Sequence, residues 1–220
     1  MAILIRSIVG RFNGKIGEAV LTKWKTILVG KSLPTKSTKP PTVAQLVQRL
    51  RFGLVTGFFS NLADFIAIGY QNHPEGVTPM NFATQSHFSA ITGVYPNYVL
   101  DFTKIKVSNP WKLKYEIDGG FTPAAVAIAG NKVTVSWILT DVVQNKSTLD
   151  TDMAYLVFYS VNKGKFVTYG GIAERSLLKA TATMPRSFIG DKFHGYLFFV
   201  SPDGKLVSES EYLGQFTLIA

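Results

Sequence analysis

The chain has 220 residues, 46% hydrophobic and 13% aromatic, with 23 Lys and Arg against 14 Asp and Glu and no cysteine. That composition excludes a disordered or collagen-like chain, and the lack of cysteine excludes disulfides, zinc–thiolate sites and thiol catalysis. No apolar run approaches the roughly 18–20 residues of a membrane span; the longest, Phe52 to Ile68, is interrupted by Gly53, Thr56, Gly57, Ser60, Asn61 and Asp64.

The charge is segregated. Residues 1–51 hold Arg6, Arg11, Lys15, Lys23, Lys25, Lys31, Lys36, Lys39, Arg49 and Arg51 against the single acid Glu18, a net of +9. The other 169 residues balance thirteen bases with thirteen acids. A segregated excess points to an anionic or acidic partner surface, and these ten residues are the expected contacts to nucleic acid or to neighbouring subunits. A solvated basic tail is the competing reading.

Met1 to Gly10 is too short for a secretion signal and lacks a small-residue cleavage site. It reads as a strand or an apolar anchor, and the expected location is a virion or the cytoplasm. Ala19 to Val29 is β-rich, with Gly10, Gly14, Gly17 and Gly30 as turns. Lys31 to Pro41 carries Pro34, Pro40 and Pro41 with three lysines, which suits an arm laid on a surface. Residues 1–41 thus form a basic arm with short strands.

Residues 42–97 read as helical. Thr42 and Gln45 have the spacing of a capping box, and Val43, Leu46, Val47, Leu50 and Leu54 follow a helical stripe. A bend or restart is expected at Gly57 or Ser60-Asn61, and a stop at Gly69. A further helix is expected from Thr78, as N-cap before Pro79, to Ile91.

From Tyr98 the period becomes two. Strands are expected at Val99–Ser108, Ala124–Ile128, Lys132–Leu139, Met153–Ser160, Lys165–Tyr169, Leu177–Met184, His194–Ser201 and Leu206–Thr217. Turn signals separate them, among them Gly130-Asn131, Asn162-Lys163-Gly164 and Asp203-Gly204. The expected fold class is α+β: the basic arm and short helices, then an antiparallel β-sandwich over residues 98–220 of immunoglobulin or fibronectin type III character. Trp137 is its core tryptophan, and the lack of cysteine favours the fibronectin-like variant.

Known chemistries find no foothold. Gly10 to Lys15 has three residues between glycines where a phosphate loop needs four, and Ile16 stands where Ser or Thr must meet magnesium. His73, His87 and His194 have no ligand-spaced neighbours; His87 reads as a packed histidine and His194 as a sheet-rim residue. Asp150 and Asp152 read as a solvated loop, not a glycosidase pair. Asn145-Lys-Ser147 is a sequon without a secretory signal. No catalytic residue, cofactor or metal is expected.

Three stretches carry a family likeness: Gly10-x-Phe-x-Gly-Lys-Ile-Gly17 with Trp24-Lys25; Lys39-Pro-Pro-Thr-x-x-Gln-Leu-x-Gln-Arg49 with Phe52; and the C-terminal set that includes His194-Gly-Tyr196, Asp203-Gly-Lys205 and Tyr212-Leu-Gly214. Together they resemble a family of uncharacterised Bacteroidota proteins, also met in phage-like contexts, of unknown function. The likeness implies lineage and no activity. The expected function is a non-enzymatic structural or assembly protein of a virion or phage-derived particle. Its partners would be copies of itself or other subunits, or nucleic acid through residues 1–51. The alternative is a bacterial module that recognises a glycan or protein through the sandwich loops.

Overall fold

A computed structural model describes residues 2–4, 14–24, 27–36, 38–110, 121–138 and 148–220. The predicted sequon at Asn145 lies outside them. Four short strands open the chain: β1 (Ala2–Leu4), β2 (Gly14–Ile16), β3 (Ala19–Trp24) and β4 (Ile27–Ser32). They form an antiparallel sheet in the order β1-β4-β3-β2. Gly30 pairs with Leu21 and Ala2, so it lies inside a strand and not in the expected turn. Leu33 N–H donates to the Glu18 carbonyl at 2.8 Å and extends the β3–β4 ladder. The Pro- and Lys-containing stretch that follows has no regular structure and is exposed beyond Leu33.

Helix α1 (Val43–Phe59) begins at the predicted capping box: Gln45 N–H donates to Thr42 Oγ1 at 3.3 Å, and Thr42 N–H to Gln45 Oε1 at 3.0 Å. It runs through Gly57 unbroken and joins α2 (Ala63–Gly69) by a 3₁₀ turn at Ser60–Leu62. The continuous stretch Val43–Gly69 is long and apolar enough to cross a membrane, the interrupting polar residues notwithstanding. Six of its residues are buried in the protein: Val55, Phe58, Phe59, Leu62, Ile66 and Gly69. A Cβ on Gly69 would lie 2.4 Å from the Val107 carbonyl oxygen, so glycine there permits a close backbone approach.

Helix α3 (Pro79–Ser86) starts as expected, with Asn81 N–H donating to Thr78 Oγ1 at 3.2 Å. It ends five residues early, in a 3₁₀ turn (Phe88–Ala90) and a hairpin of β5 (Ile91–Val94) and β6 (Asn97–Leu100). The strand expected over Val99–Ser108 is therefore corrected. Phe102–Lys104 is a 3₁₀ turn, and the alternation of Lys104 and Lys106 with Ile105 and Val107 belongs to an unpaired segment. Side chains hold that segment instead of a strand ladder. Lys106 N–H donates to His87 Nε2 at 2.8 Å, and Val107 N–H to Ser210 Oγ at 2.9 Å.

His87 is buried, as read from the sequence, and its Nδ1–H donates to the Ala83 carbonyl at 2.6 Å. Because Nε2 accepts, the ring is neutral. Burial lowers its pKa below the ordinary value.

The sandwich follows. Strands β7 (Phe121–Ile128), β8 (Lys132–Ile138) and β11 (Lys179–Thr183) make a sheet in the order β11-β8-β7; β9 (Met153–Ser160), β10 (Lys165–Glu174), β12 (Lys192–Val200) and β13 (Glu211–Thr217) make a second, in the order β10-β9-β12-β13. The β7–β8 hairpin turns at Gly130-Asn131 as predicted, both residues at positive φ. The last predicted strand is shorter than expected. Residues 201–210 form a loop around Asp203-Gly204, tied by one Val200–Val207 bridge, before β13 begins.

Between the sheets lie Val135, Trp137, Leu156, Phe158, Leu197 and Phe199. Trp137 is 2% exposed, and its Nε1–H donates to the Arg175 carbonyl at 2.9 Å. Arg175 is buried too, 4.0 Å above the Phe199 ring, with Nε 3.5 Å from Asp152 Oδ2. Asp152, expected in a solvated loop, is instead fully buried. His194 is also corrected. It lies within β12, stacked on Phe102 at 4.3 Å, with Nδ1 2.6 Å from the Tyr212 hydroxyl.

The outer face of the four-stranded sheet is covered as well. Val157, Tyr196, Phe198 and Val200 pack against Phe58, Phe59, Leu62 and Ile66 of the helical layer. The body thus has three layers: three-stranded sheet, four-stranded sheet, and helices with the β5–β6 hairpin.

Two outcomes follow for stability. Trp137→Ala removes a buried indole and its hydrogen bond, and costs about 3–5 kcal/mol in equilibrium urea denaturation. His87, with its folded pKa lowered, contributes stability that is fully present above the unfolded value near 6.5 and is lost as pH falls toward the folded pKa. His87→Phe flattens that acid dependence and lowers stability at pH 7 by about 1–3 kcal/mol, because the Lys106 N–H loses its acceptor; denaturation series at pH 5 to 8 check both.

Candidate functional site

Of the ten basic residues singled out from sequence, Arg6, Arg11 and Lys25 lie outside the described residues. Strand register places Lys15, Lys23 and Lys31 on the N-terminal sheet. Lys15 pairs with Val20, and Val20 with Lys31, so Lys15 and Lys31 share one face, about 10 Å apart across two strand spacings. Alternation sets Thr22, Trp24, Ile27 and Val29 on that same face, and Lys23 on the opposite one with Leu21 and Leu28. Lys36 and Lys39 are exposed on the irregular stretch, and Arg49 is exposed on α1. Arg51 has a packing role: its guanidinium lies 5.7 Å from the Phe88 ring and donates to the Phe88 carbonyl.

Both faces of this sheet carry apolar residues beside the lysines, yet Leu21 is its only buried residue among the described side chains. Trp24 is 48% exposed. Its Nε1–H donates to the Gly76 carbonyl at 3.2 Å, and Ile27 lies beside Gly76. This fastens the sheet to the loop before α3. Neither core of the body draws on the sheet's side chains otherwise.

Sequence reading missed a second surface, a groove of about 450 Å³ along α1. Gly53, Gly57 and Phe58 of α1 form its floor. Tyr98 and Phe102 form one wall, and Tyr159 and Phe166 of the β9–β10 hairpin the other. A Cβ on Gly53 or Gly57 would meet nothing within 4 Å. The visible signal was Gly53-Leu-Val-Thr-Gly57 inside a helical stripe, which reads as a bend point.

Among the described residues, no three His, Asp or Glu side chains are grouped to hold a metal ion. His73, His87 and His194 each have separate contacts: the Pro74 carbonyl, Ala83 and Lys106, and Tyr212. Burial lowers the His194 pKa.

The strand order and the three-on-four layering define an α+β protein built on a fibronectin type III-like sandwich, with a helical layer on its four-stranded sheet. The chain belongs to the family of unknown function DUF6266, which matches residues 11–214. No curated protein matches it. Among solved structures it is similar to the twitchin kinase region from C. elegans, at 15% identity and a TM-score of 0.36, over 47% of this chain and 17% of that fragment. It is also similar to the fn3 domain of human collagen alpha-1(XX) chain, at 10% identity and a TM-score of 0.37, over 50% of this chain and 92% of that domain.

Gly53 and Gly57 are in a helix interior with open space where a methyl group would go, so the fold itself gains nothing from them. Gly53→Ala and Gly57→Ala should each raise stability by about 0.5–1 kcal/mol in thermal or urea melts.

Proposed function

We propose that the protein is a non-enzymatic structural component of a multi-subunit assembly, a virion or phage-derived particle. The observation that carries this reading is the N-terminal segment. All the excess charge of the chain, +9, lies in residues 1–51. Among the described residues that segment is a small sheet carrying Lys15, Lys23 and Lys31, with Leu21 as its one buried side chain and Ile16 and Trp24 exposed, followed by an exposed Pro-containing stretch that carries Lys36 and Lys39. Small sheets need a covered hydrophobic face to be stable. In an assembly, neighbouring subunits supply that cover, and repeated contacts offset the entropy lost on ordering the arm. Lys15 and Lys31 then flank the interface and meet acidic subunit surface or nucleic acid phosphate.

Both cores of the body lie outside residues 1–41, so the truncated chain 42–220 retains them. Light scattering is expected to show oligomers for the full chain and a folded monomer for the truncation. If nucleic acid is the partner, filter binding weakens steeply with salt, and Lys15→Ala with Lys31→Ala lowers the log–log slope by about two units. Equal particle size for full and truncated chains, together with no salt-dependent binding, would overturn the proposal.

A further inference from the structure

The geometry points to the α1 groove as a docking site for an acidic segment of another protein, one that carries aromatic or aliphatic side chains between its acids. The shape and chemistry of the groove argue for a peptide. Its walls are aromatic, from Tyr98, Phe102, Tyr159 and Phe166. Two further concavities adjoin it and share lining residues with it, so the depression follows α1 from Arg49 into the 3₁₀ turn at Asn61. That is about 18 Å at 1.5 Å per residue, the reach of five or six extended residues. Gly53 and Gly57 leave the helix backbone bare along the floor, so a ligand backbone or ring has room to approach closely. Val99, which lines the groove, is 58% exposed.

Charge selects the partner. Arg49 lies at one end and Lys165 at the other, and neither has an ion pair or hydrogen-bonding side-chain partner among the described residues. Lys163, beside Lys165, is already paired with Asp191 at 3.4 Å. No residue lining the three concavities is acidic. Asp101, next to Phe102, is held by Lys104 at 3.2 Å and by Thr103. An apolar trough with a free cation at each end complements acids that flank an apolar core. The chain's own stretch around Pro34 to Pro41 has the wrong sign, since Lys36 and Lys39 would meet Arg49 and Lys165.

This surface is distinct from the basic N-terminal sheet, and the test separates the two. The full-length protein is immobilised and used to select a random dodecapeptide display library. Selected peptides are expected to place Asp or Glu on both sides of Phe, Trp, Leu or Ile. A fluorescent copy of the best one is then titrated by anisotropy. Gly57→Leu, which fills open space and keeps the helix, and the pair Arg49→Glu with Lys165→Glu should each weaken binding roughly tenfold or more. Lys15→Ala with Lys31→Ala should leave affinity unchanged, and matching melting curves establish that the variants are folded. No enrichment, enrichment of basic or Pro/Lys peptides, full affinity in Gly57→Leu, or loss of binding on changing Lys15 and Lys31 would each overturn the assignment.

Discussion

The central sheet must be covered on both faces, and the rest of the body follows from that. Along β9, Leu156 and Phe158 face the sandwich core while Val157 faces the helices. Along β12, Leu197 and Phe199 face one way and Tyr196, Phe198 and Val200 the other. A sheet with one solvated face would alternate apolar and polar residues. These two strands do not, so a second layer has to exist. Helices of 17, 7 and 8 residues are marginal by themselves, and they gain their stability by packing on that sheet. Each side thus supplies what the other lacks.

Polar contacts then fix how the layers sit. Ser208 Oγ accepts from the Phe199 N–H inside the sandwich, while the Ser208 carbonyl accepts from Ser108 Oγ of the helical layer. Ser210 accepts from the Val107 N–H, and His87 from the Lys106 N–H. These bonds satisfy the Lys106 and Val107 N–H groups, and the Tyr70 hydroxyl and Ser210 N–H donate to the Lys106 and Ser108 carbonyls, in a segment that has no strand partner. Buried backbone groups must be paired, so the seam is as specific as a ladder would be. It also joins residues about a hundred positions apart in the chain.

The N-terminal sheet stands in contrast. Leu21 is its one buried side chain among those described, its strands carry only lysine charges, and its described attachment runs through Trp24 and Ile27. The α1 groove shares that unfinished character, with aromatic walls and a glycine floor open to solvent. Both features fit a protein whose surfaces are completed by partners. The buried Arg175–Asp152 pair, by contrast, belongs to the interior: it caps the Trp137 end of the core, where burial pushes the Asp152 carboxyl above its ordinary pKa.

Local chemistry was legible in the sequence wherever short-range pattern decides the outcome. The Thr42–Gln45 box, the Thr78-Pro79 helix start, the span of β9, the Gly130-Asn131 turn and the burial of Trp137 all follow from neighbours within a few residues. The segregation of charge is likewise a property of the chain alone. Other features depend on what lies opposite. Alternation at Lys104 to Val107 looks the same whether a strand or side chains receive the backbone bonds, and only the approach of His87 and Ser210 decides it. Asp152 is buried because Arg175 and the Leu149 N–H meet it there. The groove draws its walls from residues 98–102, 159 and 166, and no local period connects them. Sequence determined the elements and the charge; tertiary packing decided which faces they cover and which they leave open, because a face has no meaning until a second layer supplies its partner.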